Sequence, residues 1–354
     1  MSIVIVTGSG GLVGSEAVKK FHSEGLDVVG IDNDLRSKLF GPSASTSSNS
    51  ASQSKELRRF THMNIDIRDE EAISSVFRKY KKDISGVVHC AAQPSHDWAA
   101  TDPRLDFEVN ASATLGLLEQ TRLFAPEARF IFMSSNKVYG DAPNKLSFRE
   151  KTSRYQLAKL SRFSAHGINE TLSIDNSLHS LFGVSKASAD LMVQEYGKYF
   201  GMSTVSFRGG CLTGPSHQGA ELHGFLSYLV KCVVHKMPYR VFGFKGKQVR
   251  DNIHSSDLVD AFWKFFEKPG KGEVYNIGGS HFSNISMLEA IEKIETLTQT
   301  RLDVSFSPEA RKGDHKWYVS DVRKFTRHYP EWRLKIGIDE ILDEMVSREE
   351  KEER

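Results

Sequence analysis

Cysteine is scarce in this chain: Cys90, Cys211 and Cys232 are the three present among 354 residues. They are too few for a disulfide framework and their spacing matches no metal-ligand set, which predicts no metal site and fits a reducing cytoplasm. No apolar run approaches the roughly 20 residues needed to cross a bilayer. A surplus of one charge is also missing. The formal net charge is +2, so neither a nucleic acid nor a membrane is expected as a partner. The charged run from Ser347 to Arg354 reads as a solvated helix end. The opening Met1-Ser2-Ile3 enters a strand at once, without a basic segment or cleavage site, which predicts no secretory leader. No internal repeat is visible. The length permits a large core and two lobes.

What is present begins at the first residues. Ile3-Val4-Ile5-Val6-Thr7 is a buried strand running into a turn with Gly8, Gly11 and Gly14 at three-residue spacing, and then into a helix. Those glycines suit a tight turn, close backbone approach to a pyrophosphate, and helix-on-strand packing. The helix N-terminus offers free N–H groups and a favourable dipole to the anion. A glycine motif alone is weak, but the context matches. Gly25 ends the helix, and Val28-Val29-Gly30-Ile31 forms a second strand closing on Asp32. An acidic residue about 20 positions past the motif suits the adenosine ribose hydroxyls and repels a 2′-phosphate, pointing to NAD. Arg36 is the counter-signal.

The serine-rich segment from Gly41 to Ser54 reads as a mobile loop, or as a flap over the cofactor. Phe60 to Ile67 resumes strand character and delivers Asp66-Ile67, suited to an adenine. Glu70 to Lys81 is an amphipathic helix. Gly86 to Ala92 is a strand ending in small residues, Ala91 and Ala92, against which a dinucleotide can lie. Pro103 to Phe124 reads as one helix carrying Asn110 as a polar anchor. Phe130 to Met133 leads into Ser134-Ser135-Asn136-Lys137-Val138-Tyr139-Gly140. The helix from Phe182 to Tyr199 carries Lys186. Gly246 to His254 is expected to return toward the sheet. Alternation of strands and helices at this pace predicts an α/β protein with a doubly wound parallel sheet, a Rossmann fold, and a smaller C-terminal lobe. The expected division is 1–206 with 236–265 for the cofactor domain, and 207–235 with 266–354 for the substrate lobe.

Taken together, the Gly8/Gly11/Gly14 turn, Asp32-Asn33, Asp66-Ile67, Ser134 to Gly140, Lys186, Arg250-Asp251-x-x-His254, Asn276-Ile277-Gly278 and Arg311-x-Gly313-Asp314 resemble the extended short-chain dehydrogenases that act on nucleotide sugars. The resemblance covers nearly the whole chain, and within the family it is nearest the epimerases of CDP-linked sugars. It implies a cytoplasmic NAD-dependent enzyme that removes hydride from a sugar carbon and returns it to the other face. It also implies a homodimer through the helices at 104–124 and 183–200. Cofactor contacts are implied at Gly8, Gly11, Leu12, Val13, Asp32, Asn33, Arg36, Asp66, Ile67, Ala91, Ala92, Gln93, Asn110 and Lys186. Substrate contacts are implied at Ser135, Asn136, Lys137, His179, Cys211, Arg250 and Arg311, the two arginines gripping the diphosphate with paired hydrogen bonds.

One position departs from the family. The base in such enzymes is a tyrosine four residues before the lysine, and here that residue is Phe182, which cannot exchange a proton. Ser135 and Lys186 match the remaining catalytic places. His179, His96 and Cys211 are the candidate substitutes, each with a plain alternative as a cap, loop or packing residue. Lys186 could itself act if its pKa were depressed, although positioning the cofactor is its expected duty. The pair Asn136-Lys137 stands where related dehydratases carry Asp-Glu, which weighs against that chemistry. Two rivals to an epimerase remain at this point. One is another redox-assisted nucleotide-sugar enzyme, a dehydratase or oxidoreductase with a non-tyrosine base. The other is a non-catalytic NAD-binding sensor or scaffold.

Overall fold

The computed structural model describes residues 2–214, 224–310 and 313–353. By internal contacts the chain forms two compact units: Met1–Val138 with Leu181–Arg208 and Leu258–Tyr275, and Tyr139–Ser180 with Gly209–Asp257 and Asn276–Arg354.

The first unit opens with β1 (Ile3–Thr7), α1 (Leu12–Ser23) and β2 (Asp27–Ile31). It continues through α2 (Leu35–Phe40), α3 (Ser47–Glu56), β3 (Phe60–Met63), α4 (Glu70–Tyr80) and β4 (Ile84–His89). Next come the short α5 (His96–Thr101) and α6 (Pro103–Phe107), a π-turn over Glu108–Ser112, α7 (Ala113–Phe124) and β5 (Arg129–Ser135). The helix α8 (Leu181–Phe200), the strand β8 (Thr204–Gly209), the helix α10 (Ser255–Glu267) and the strand β12 (Glu273–Ile277) complete the sheet and its cover. Its order is β12-β8-β5-β4-β1-β2-β3, with β1–β2, β1–β4, β2–β3 and β4–β5 all parallel. This is the expected doubly wound α/β sheet. The strand order reverses between β1 and β4, and ligands of such sheets lie outside the carboxyl ends of the strands at that point. The central strands are apolar on both faces because helices cover both. Ile5, Val87, Phe130 and Leu117 are fully buried in the core that results.

The second unit holds a β6–β7 hairpin (Phe148–Glu150 and Tyr155–Leu157), β9 (Cys211–Thr213), α9 (Phe225–Val234), β10 (Tyr239–Phe242), β11 (Val249–His254), β13 (Asn284–Ser286), α11 (Met287–Thr298), β14 (Val304–Ser307), β15 (Trp317–Tyr318), α12 (Arg323–His328) and α13 (Ile338–Glu353). A capping box between Ser286 and Glu289 starts α11. Apolar faces of α9, α11 and α13 meet in a second core around Leu229, Val233, Ile294 and Leu342.

Three expectations are corrected here. Gly246 to His254 does not return to the large sheet: β11 pairs with β9, β13 and β15 in a separate sheet. Residues 139–180 also join the second unit, where Tyr155 N donates to Lys247 O and Arg154 pairs with Glu289 at 2.8 Å. The serine-rich segment is no mobile loop, since it folds into α3 with Ser50 and Gln53 buried. The single helix over 103–124 is interrupted by the π-turn, which places Asn110 at its centre.

Behind β5, the Arg208 guanidinium donates to both oxygens of Asp190, at 2.7 and 3.1 Å, in a pair whose side chains are 6% and 1% exposed. Ser134 Oγ and Gln194 Nε2 satisfy the same carboxylate. Breaking a buried pair from one side leaves a stranded charge. Arg208→Met is therefore expected to cost roughly 3–5 kcal/mol in a urea titration, and adding Asp190→Leu should recover much of the loss.

Candidate functional site

In the first unit the glycine turn is closed to side chains. A Cβ at Gly14 would lie 2.0 Å from Gly8 O, and one at Gly8 would lie 2.7 Å from Ala91 N. Gly8 holds φ +68°, in the left-handed region. Gly11 is the N-cap of α1 and makes no side-chain capping bond, and the first turn carries no acidic residue. A helix start without a side-chain cap or an acidic residue is suited to an anion. Asp32 Oδ2 accepts from Gly10 N at 2.8 Å, and its other oxygen accepts from Asp34 N and Thr46 Oγ1. This bare backbone beside a carboxylate fits the pyrophosphate and ribose of a dinucleotide.

The helix α3 clasps the turn from outside. Asn49 Nδ2 donates to Gly10 O at 2.8 Å and Gln53 Nε2 to Ser9 O at 3.1 Å. A Cβ at Gly10 would lie 2.8 Å from Ser50 Oγ. The sequence reading missed these contacts; the signal was a pair of amides four residues apart in a stretch whose serines suggested disorder. Arg36, the counter-signal for a 2′-phosphate, donates to Ala44 O at 3.4 Å and lies over the Phe40 ring. Asn33 donates to Asp66, whose carboxylate is also gripped by Arg68, and that guanidinium is the leading cause holding the Asp66 carboxyl below its ordinary range. Ile67 packs against the core.

At the carboxyl edge of β5, Lys186 Nζ donates to Met133 O at 2.8 Å and sits 4.3 Å over the Phe132 ring. Burial pushes this ammonium down to about 8, although Cys90, Asp190 and Asp106 pull the other way. The same burial holds His89 down to about 3 and pushes Cys90 up to about 12. Both His89 nitrogens are engaged, by Thr7 Oγ1 and Thr114 Oγ1. Ser135 Oγ accepts from Lys137 N at 3.2 Å, and Asn136 is buried in the 3-10 turn that follows.

Asn110, implied as a cofactor contact, is hydrogen-bonded to protein groups. Its oxygen accepts from Gln93 N, and its amide donates to Gln93 O, Asp106 Oδ1 and Ser185 Oγ. Gln93 is likewise spent on Ser95 and Asp106. Both residues therefore position their neighbours. Ala91 N donates to Thr7 Oγ1 at 3.3 Å, and Ala92 follows it in the same half-buried strand end. The rings of His96 and Phe182 meet at 5.0 Å between centroids, with an interplanar angle of 63°.

The second unit carries the remaining candidates. His179 Nδ1 lies 3.0 Å from Ser177 O. Cys211 opens β9, opposite Asn252. Arg250 is buried, donates to Val249 O, and pairs with Asp314. Arg311 falls outside the described residues. Tyr139 OH donates to Asn276 Oδ1 at 2.8 Å, a buried structural bond. Among the described residues no helix is long and apolar enough to cross a membrane, and no cluster of His, Cys, Asp and Glu could hold a metal.

Residues 4–278 match the NAD dependent epimerase/dehydratase family. The chain is 27% identical to the CDP-paratose 2-epimerase of Salmonella typhi, covering 97% of each. It is 26% identical to the dTDP-glucose 4,6-dehydratase of Salmonella typhimurium, covering 92% of this chain and 86% of that one. In fold it is similar to the UDP-glucose 4-epimerase of Thermus thermophilus solved with NAD, at TM-score 0.77 and 24% identity over 99% of both chains. The UDP-glucuronic acid 4-epimerase from Bacillus cereus, solved with UDP-glucuronic acid and NAD, gives 0.79 and 22% over 99% of both. These structural likenesses establish the fold.

Two outcomes are expected. Replacing Asn49 and Gln53 together by alanine should weaken NAD binding by up to about thirtyfold by calorimetry, as two carbonyl-fixing bonds worth about 1 kcal/mol each loosen the turn. The second concerns Lys186, whose folded pKa of about 8 lies below its ordinary 10.5. The unfolded chain binds the extra proton between those values, so stability rises with pH there. Relative to Lys186→Met, the parent should gain about 2 kcal/mol from pH 7 to pH 10 in denaturant titrations.

Proposed function

Since the chain belongs to the NAD dependent epimerase/dehydratase family, we propose that it is an epimerase of a nucleotide-diphosphate sugar. In this reading it inverts one sugar carbon by transient oxidation to a ketone and return of hydride, with CDP-paratose as the first substrate to try. NAD, when bound, accepts the hydride and gives it back. The observation that carries the reading is the end of β5. There Ser135 and the buried Lys186 are present, while Asn136 and Lys137 fill the following turn. Elimination of water needs an acid and a base beyond the redox step, and that turn offers no carboxylate. The 27% identity with a CDP-paratose 2-epimerase over 97% of both chains supports the same choice.

The chain's residues divide the work as follows. The Gly8–Gly14 turn and the start of α1 hold the pyrophosphate, and Asp32 takes the adenosine ribose. The fixed ammonium of Lys186 orients the nicotinamide ribose, and the Ser135 hydroxyl holds the reacting sugar oxygen. Arg250 is the described guanidinium assigned to the diphosphate, sharing its charge with Asp314. A second copy is assigned to the exposed apolar residues Leu115 and Leu123 of α7 and Leu191 and Phe200 of α8.

The test is proton NMR of CDP-paratose, with a UDP- and dTDP-sugar panel beside it, incubated with the NAD-loaded enzyme in D2O. Inversion at one carbon is expected, with no deuterium entering there and no net reduced nicotinamide, because the same hydride returns. Stoichiometric NAD reduction, or loss of water from the sugar, would place the protein among other redox-assisted enzymes. No conversion of any sugar would favour a sensor.

A further inference from the structure

We propose that His96 is the acid–base residue of this reaction, supplying the proton transfer that Phe182 cannot. The inference rests on the epimerase reading. Phe182 and Lys186 are one helical turn apart on α8 and share a face. Lys186 Nζ is tied to Met133 O, so Phe182 faces the edge of the sheet where ligands of such folds lie. The His96 ring is set edge-on against it.

Buried hydrogen bonds keep it there. Ser95 Oγ caps α5 by accepting from Trp98 N, and Ser95 N donates to Gln93 Oε1. Gln93 is fixed by Asp106 and by Asn110, and Asn110 Nδ2 reaches Ser185 Oγ. Ser185 stands directly before Lys186 on α8. All five of these polar residues are nearly fully buried, so the start of α5 is locked to the helix that carries the lysine. Such a second layer is what a preorganised catalytic group needs.

The neighbouring titratable groups do not serve. His89 is buried with both nitrogens engaged, the Cys90 thiol is held protonated by burial, and Lys186 is committed to Met133 O. His96 is half-buried, and imidazole exchanges protons near neutral pH. A nitrogen of the neutral ring accepts the sugar hydroxyl proton as the hydrogen on that carbon leaves with its electron pair for NAD, the oxidant, giving a ketone and an imidazolium. When hydride comes back to the opposite face, the imidazolium returns the proton to the oxygen. Enzyme and cofactor end as they began.

The experiment compares His96→Gln, Phe182→Tyr and the double variant on the nucleotide sugar that the parent converts. His96→Gln should lower turnover by about 10²- to 10⁴-fold while its NAD affinity by calorimetry stays at the parent value. Phe182→Tyr alone should not raise turnover above that of the parent. In the double variant the phenol should restore much of the lost rate, and imidazole in the buffer should partly rescue His96→Ala. In ring-labelled NAD-loaded protein, a histidine NMR signal absent from His96→Gln should shift when the sugar is added. Parent-like turnover in His96→Gln, a loss matched by lost NAD affinity, or no shift of that signal would overturn the proposal. Failure of the epimerase reading shows itself separately, as net NAD reduction or water elimination by the parent.

Discussion

One ammonium group, that of Lys186, sets the terms for the carboxyl edge of the large sheet. It is buried, held by the Met133 carbonyl and laid over the Phe132 ring, and its surroundings disfavour its charge. A protein selected only for stability would place an apolar side chain there. Its retention makes sense where a cation must be held still beside a cofactor. The arrangement draws in further polar groups. One turn later on α8 stands Asp190, itself buried and satisfied by Arg208, Ser134 and Gln194. One residue earlier stands Ser185, the end of the Asn110 network. A single helix therefore carries the lysine, the carboxylate of the buried ion pair beside it and the tie that fixes His96.

The glycine turn obeys a complementary constraint. Lys186 needs polar groups packed around it, whereas Gly8 and Gly14 need the absence of any side chain at all. The helix α3 stiffens the turn from behind by holding two of its carbonyls, and Asp32 holds one of its N–H groups from the front. A backbone pinned on both sides loses little freedom when it closes on a ligand.

Much of this was legible in the sequence because it is local. The glycine spacing, Asp32 at the end of a strand, the Ser134 to Gly140 segment and Lys186 four residues after Phe182 are all short-range patterns, and the parallel sheet follows from the alternation of elements. What could not be read depends on partners distant in the chain. Strand β11 has ordinary strand composition, and nothing in it says that β9, β13 and β15 are its neighbours. The α3 segment lacks an apolar face, so no periodicity announced a helix that is held by Asn49 and Gln53 rather than by burial of hydrophobic area. The ring contact of His96 with Phe182 joins the start of α5 to a helix far along the chain. Asn110 was read as an anchor, but the π-turn that aims it has no sequence signature.

Phe182 is the departure on which the account turns. A chain that had lost catalysis would be expected to lose the costly burial of Lys186 as well, and here the lysine, its carbonyl and the clasped cofactor turn are all intact. The central claim is thus a closed redox cycle run on one retained dinucleotide. The most direct test is mass spectrometry of the small molecules released when freshly purified protein is denatured. The account predicts NAD in near-equal amount to protein. Recovery of a 2′-phosphorylated dinucleotide, or of none, would contradict it.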